Sequence, residues 1–274
     1  MTVLTARIRP GLSPGRVGAM VLRYWYLLRS SWPRLLDLVY WPTVQMLTWG
    51  FITLSLGTPA TIVEQGIGVL LGAALLWDVL LRSQLGTSLS FLEEMYSRNL
   101  GHLMASPLRP GEFLIALATI GLLRTLVGMV PTSLLAIWFF GFSVYDMGLS
   151  LAAFFFLLVV MGWAIGLFIS GLLMRVGLGA EALAWGLIFA IAPLSAVFYP
   201  LSTLPGWLQI PARILPSTHV FEGMRALLHD GVIQLDHLAM AAGLDCLYLG
   251  LGVWGFFAFY ESARDRGRLI QMGE

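Results

Sequence analysis

Asp78 and Arg82 stand four residues apart inside a long apolar run, and Arg124 sits in the middle of the next such run. Four residues is about one helical turn, so Asp78 and Arg82 can pair. Counted from the polar segment that joins the two runs, Asp78 and Arg124 both lie about 20 Å deep at 1.5 Å per residue. Charge at that depth in an apolar element is expensive, and it faces protein or a water-filled path. A neutralised Asp78–Arg82–Arg124 cluster that holds two helices together is the expected arrangement. Asp245 and Glu181 are further acids in apolar surroundings, with no partner that the sequence names.

Covalent chemistry has little to work with. No His-x-x-x-His pair or Glu-bearing metal motif occurs, and His102, His219, His229 and His237 are scattered. Ser195 lies in Pro-Leu-Ser-Ala, which lacks a nucleophile elbow. The single Cys246 excludes an intramolecular disulfide or a thiolate cluster, and reads as an inert packing residue. All 16 basic residues are Arg. Without Lys there is no Walker A loop, so any ATP hydrolysis belongs to another polypeptide.

A second concentration of chemistry is the polar segment 93–112. It carries Glu93, Glu94, Arg98, Asn99 and His102, then apolar Leu103 and Met104, and ends on Pro107 and Glu112. It reads as a helix projecting from the preceding run, a short amphipathic piece, and a Pro-flanked stop. A plain connector is the simpler account. A compact charged knob of this kind is also what a partner's cleft could grip.

The elements that position these residues are transmembrane helices. Residues 38–63, 125–145, 147–174 and 182–212 contain no charged side chain. The composition is 58% hydrophobic and 11% charged, against about 25% charged in soluble domains. About 20 helical residues cross a bilayer core of roughly 30 Å. Six spans are expected, over 39–57, 62–91, 113–140, 148–173, 180–197 and 238–260. Arg7, Arg9, Arg16, Arg23, Arg29 and Arg34 precede the first, and Arg264, Arg266 and Arg268 follow the last. Arg98, Arg109 and Arg175 fall on connections of the same side, and only Arg213 and Arg225 fall opposite. By the positive-inside rule both termini are cytoplasmic.

Residues 16–37 are amphipathic, with Val21, Leu22, Trp25, Leu28, Trp32 and Leu35 at three- and four-residue spacing and Arg23, Arg29 and Arg34 between them. This pattern predicts a helix along the cytoplasmic interface, kinked or divided by Pro33. The lead does not read as a cleavable signal, since the first long apolar run begins only near Leu38. Residues 198–229 are apolar but broken by Pro200, Pro205, Gly206, Pro211 and Pro216. They suit a short external hairpin dipping into the outer leaflet, sheltered by protein because unpaired backbone groups cannot face lipid. Ser217 or Thr218 is expected to cap its second helix.

With these elements in place, the chain resembles the permease subunits of bacterial ABC-2 exporters, a family that includes drug, polysaccharide and nodulation-factor exporters. Three stretches carry the resemblance. Segment 93–112 ends in Ser106, Pro107, Leu108 and Glu112, as the family's coupling segment does. Phe198-Tyr199-Pro200-Leu201-Ser202-Thr203-Leu204-Pro205, followed by Leu215-Pro216-Ser217-Thr218-His219 and Glu222-Gly223-Met224-Arg225, is similar to the family's reentrant segment. The interfacial helix and the six-span plan match as well. The resemblance covers essentially the whole chain, 1–274, as one domain.

What the resemblance implies is an all-α integral membrane bundle in the bacterial inner membrane, acting as an export permease. It implies a dimer with a second copy of the chain and two ATP-binding cassette subunits, which hold the ATP and Mg; this chain needs no cofactor or metal. Membrane lipid and the exported molecule are the other partners, and nucleic acid is not one. Glu93, Glu94, Arg98, Asn99, His102, Leu103, Met104, Pro107 and Glu112 would couple to the ATPase. Phe198, Tyr199, Pro200, Pro205, Trp207, Glu222 and Arg225 would form a reentrant gate. Asp78, Arg82 and Arg124 would then be either a structural cluster or a polar stretch of the export route. A lipid-processing membrane enzyme and a non-transporting scaffold are the rival classes; the first would need a convergent polar constellation that is not visible.

Overall fold

The computed structural model describes residues 11–55, 60–177, 179 and 181–265. Among them there are ten α-helices and no strand: α1 (Pro14–Arg29), α2 (Trp32–Ser55), α3 (Ala60–Tyr96), α4 (Leu100–Ala105), α5 (Pro110–Phe140), α6 (Leu149–Val176), α7 (Glu181–Leu194), α8 (Gly206–Arg213), α9 (Pro216–Asp230) and α10 (Leu235–Asp265). The turn pattern explains several boundaries. Ser30 and Ser31 separate α1 from α2, so the amphipathic helix ends at Arg29. Pro33 does not kink it. It occupies the first turn of α2, where a missing N–H costs nothing. Pro110 likewise opens α5, whose Glu112 carboxylate accepts the backbone N–H of Arg109 at 3.0 Å, and Gly141 closes it in the left-handed conformation at φ 65°.

Among the described residues four helices are long and apolar enough to cross a membrane: Gly68–Tyr96 within α3, then α5, α6 and α10. The other two expected spans differ from them. α2 has the length, 24 residues, but Thr, Gln, Tyr and Trp dilute its hydropathy. α7 stops at Leu194 after 14 residues, which is about 21 Å and short of the bilayer core.

α3 is the centre of the bundle, packed against α2, α5, α6 and α9. Nearly every side chain from Leu71 to Leu92 is buried, polar Ser83, Gln84, Thr87, Ser88 and Ser90 included. Those hydroxyls donate within the molecule, mostly to carbonyls one turn back, as at Thr87–Ser83 (2.9 Å) and Ser90–Gly86 (2.7 Å). Between apolar helices in lipid there is no water to expel, so close backbone approach sets the packing. At the α6–α10 crossing a Cβ on Gly252 would stand 2.4 Å from the Ala164 carbonyl oxygen. α10 is otherwise largely on the outside, and Cys246 is exposed there, not packed within the bundle as its apolar run suggested.

Candidate functional site: the braced base and a charged groove

At one end of the bundle α1 lies against α5 with Met20, Tyr24 and Leu28 buried. Arg16 and Arg23 are two turns apart on α1, and each meets a carboxylate far along the chain. The Glu112 carboxylate, fully buried, accepts from Arg16 Nε at 2.7 Å, Arg16 Nη2 at 2.5 Å and the Ser13 N–H at 2.8 Å. Arg23 donates to both oxygens of Glu94, which is also buried and takes a further bond from Asn99 Nδ2 at 2.8 Å. Bidentate contacts of this kind fix geometry as well as adding energy. The bonds to Glu112 and Glu94 raise the Arg16 and Arg23 guanidiniums further above their ordinary, already basic range. Burial, reinforced by the Glu94 charge, pushes the Tyr24 hydroxyl far above its ordinary range.

Segment 93–112 is thus clamped to α1 at both ends. Between the clamps the chain reverses at Arg98, which adopts φ 52°, and α4 follows. Tyr96, Ser97, Arg98, His102, Ser106 and Pro107 face outward, while Leu100 is buried and Leu103 and Met104 pack against the core. Glu94 and Glu112 were expected on the gripping surface; they face inward instead, because each neutralises an arginine of α1. Tyr96 also donates to Glu181 at the start of α7, which supplies the partner the sequence could not name.

Above this base, α2, α3, α5 and α7 enclose a groove of about 910 Å³. Its charged wall carries Arg34, Asp37, Asp78, Arg82, Glu93 and Arg124, and its apolar wall includes Trp41, Trp77, Trp185 and Phe189. Asp78 and Arg82 pair at 2.7 Å, both buried, as their spacing requires. Arg124 does not join them. It reaches toward the base and meets both oxygens of Glu93 at 3.4 Å, while Arg34 approaches Glu93 from α2 at 3.6 Å. The reason is packing: Arg82 lies against Gly128, one turn beyond Arg124 on α5, and Arg124 turns the other way along Gly86. The expected three-residue cluster is therefore two separate pairs in one groove. Glu93, expected to face a partner, belongs to this wall.

The segment 198–229 forms a short 3-10 turn at Leu201–Thr203, then α8 and α9. α9 is packed among α3, α6 and α10, with Val220, Phe221 and Met224 buried. Ser217 and Thr218 do not cap it. Leu215 stands at the cap position with Pro216 following, so Ser217 is free to bond Ser195 at 2.7 Å, and Thr218 the Leu194 carbonyl at 3.3 Å. Glu222 accepts the Leu201 N–H at 2.7 Å and pairs with Arg225 at 2.7 Å, and Arg225 donates to the carbonyls of Ala196 and Val197. These bonds satisfy the Ala196 and Val197 carbonyls and the Leu201 N–H of the irregular backbone after α7, and the Pro200 carbonyl accepts the Thr203 N–H at 3.0 Å. Phe198 stacks on Trp49 at 4.1 Å, Tyr199 donates to the Pro193 carbonyl at 2.5 Å, and Trp207, after Pro205, is exposed.

Sequence reasoning missed Arg16 and Arg23 as partners of the 93–112 segment, and the tryptophans of the groove. The first signal was present: two arginines seven residues apart on one face of an amphipathic helix. The second was hidden, because Trp41 and Trp185 read equally well as interfacial anchors.

The fold is that of a multi-pass membrane protein with apolar helices around a charged groove and a braced base. Residues 17–229 match the family described as ABC-2 type transporter, and the chain belongs to that family. Over 149 residues it is also 33% identical to ABC transporter G family member 20 of Dictyostelium discoideum, an overlap of 53% of this chain and 20% of that protein's length.

Proposed function

We propose that the chain is an export permease that works as a dimer with two ATP-binding cassette subunits, which bind ATP and Mg and perform the hydrolysis. The chain itself does no covalent chemistry and holds no cofactor. Both ends of the chain and the braced base face the cytoplasm of a bacterial inner membrane in this reading, and α8–α9 lies at the exit. The groove between α2, α3, α5 and α7 is one half of the route. Its aromatic wall and its paired charges suit a molecule with an apolar body and a polar head.

One observation carries the coupling role. Arg16–Glu112 and Arg23–Glu94 bind α1 to both ends of segment 93–112, so a push on the outward residues Arg98, His102 and Pro107 moves α1, α3 and α5 together. A freely hanging loop would absorb such a push. The membership of the family and the likeness to a protein named as an ABC transporter support the same reading.

The test uses the purified complex of this chain with its cassette subunits in nanodiscs. Scrambling the order of residues 98–104 is expected to lower substrate-stimulated ATP hydrolysis about tenfold, with membrane insertion and the fold of α5 and α6 retained. Full stimulation in the scrambled complex overturns the coupling role.

A further inference from the structure

We propose that His219 on α9 and His237 on α10 form a proton-binding dyad that ties the two helices together and releases them when both rings are protonated. Their Nδ1 atoms stand 3.1 Å apart. The ring centroids are 5.4 Å apart with planes tilted by 41°. The centroid separation is close to the Nδ1–Nδ1 distance plus one ring radius at each end, so the nitrogens meet head-on along one line. A metal ion bound to both, at about 2.0–2.1 Å each, would have to sit off that line with the rings angled toward it. Head-on geometry leaves room for a hydrogen and for nothing larger.

The proton inventory follows from the third contact. His219 Nε2 lies 2.9 Å from the Arg213 carbonyl oxygen. A carbonyl only accepts, so Nε2 carries a hydrogen and neutral His219 presents a lone pair at Nδ1. His237 therefore donates from its own Nδ1. Adding one proton makes His219 a double donor, and His237 shifts its hydrogen to Nε2. The facing nitrogens still share one hydrogen, now in a charge-assisted bond. Adding a second proton sets two N–H groups and two positive charges against each other, and the contact must open.

Among the described residues no other side chain is bonded to either ring, and the neighbouring Asp236 is exposed. Glu222 and Asp236 are the carboxylates whose charge reaches His237, and Glu222 is already held by Arg225. α6, packed on both helices, has no charged side chain between Leu149 and Met174 and presents Phe154 near Gly223, against which His237 also rests. α3 contributes only Asp78 between Gly68 and Leu81, and Arg82 holds it. α8 supplies the Arg213 carbonyl while its guanidinium is exposed. His229, at the far end of α9, pairs with Asp230. The α9–α10 junction thus stays closed with zero or one added proton and loosens with two, which makes it a sensor of pH on its own side of the bundle. This holds whichever way the permease transports.

The test is nitrogen NMR of the full chain labelled with 15N at its four histidines, with assignments from His219→Gln and His237→Gln. At neutral pH the hydrogens should sit on Nε2 of His219 and Nδ1 of His237. Acidification should give two coupled steps about one pH unit or more apart, replaced by a single step in either variant. Amide exchange over residues 216–238, corrected for its intrinsic pH dependence, should rise about tenfold in the wild type below the second step. In His237→Gln the amide oxygen can accept from protonated His219, so exchange there should stay within about twofold. Independent titration of the two rings overturns the dyad, as does a neutral His237 with its hydrogen on Nε2. Equal acid loosening in the His237→Gln variant overturns the switch. If neither variant folds, assignment by elimination with His102→Gln and His229→Gln leaves the wild-type tautomers and step spacing to decide the matter.

Discussion

The two ends of this bundle are held together by different means. At the base, Arg16–Glu112 and Arg23–Glu94 join residues 96 and 71 positions apart in the chain. At the α8–α9 end, Glu222, Arg225, Ser195 and Ser217 bond to groups no more than 29 positions away. Long-range charge pairing makes distant helices move as one body, whereas local bonds only shape a single connection. The groove lies between, with one tight pair and one loose one.

The largest test of the contrast is inside the groove. Asp78→Asn leaves Arg82 buried without its counterion and is expected to cost about 3–5 kcal/mol, read as a lower unfolding midpoint in detergent. Arg124→Gln should cost only about 1 kcal/mol, because its contacts to Glu93 are 3.4 Å long and Glu93 is partly exposed. Equal losses in the two variants would erase the distinction between a tight and a loose pair.

At the base, Glu112→Ala removes the acceptor of Arg16, Ser13 and Arg109 together. α1 should detach, and protease cleavage between Arg29 and Trp32 should speed up about tenfold. An unchanged cleavage rate would mean that apolar burial of Met20, Tyr24 and Leu28 holds α1 without the clamps. At the opposite end, Glu222→Gln weakens bonds that are local, so about 1–2 kcal/mol is expected, with α1 untouched. The smallest effect belongs to Ser195→Ala, about 0.5–1.5 kcal/mol, since it removes a neutral bond to Ser217 that no helix far along the chain depends on. A loss as large as that of Asp78→Asn would show that the α9 end is held as firmly as the tight pair of the groove.

What the sequence determined by itself was what local spacing and composition control. The uncharged run 147–174 became α6, because a backbone in lipid must satisfy its own hydrogen bonds, while the run 182–212 broke at Leu194. Four residues between Asp78 and Arg82 gave their pair, because that is the helical repeat. Pro and Gly in 198–229 gave a broken segment that needs sheltering. Only the tertiary structure decided where side chains with several possible partners would go. Arg124 could reach either Asp78 or Glu93, and the close approach of Gly86 to Gly121 and of Gly128 to Arg82 turned it toward Glu93. Glu94 and Glu112 looked like surface charge, and became buried because α1 folds back over them with arginines at matching spacing. The His219–His237 contact joins two helices across a turn, and no periodicity in either one announces it. Pairing across helices depends on how their axes cross, and that is set by small residues at a few contact points.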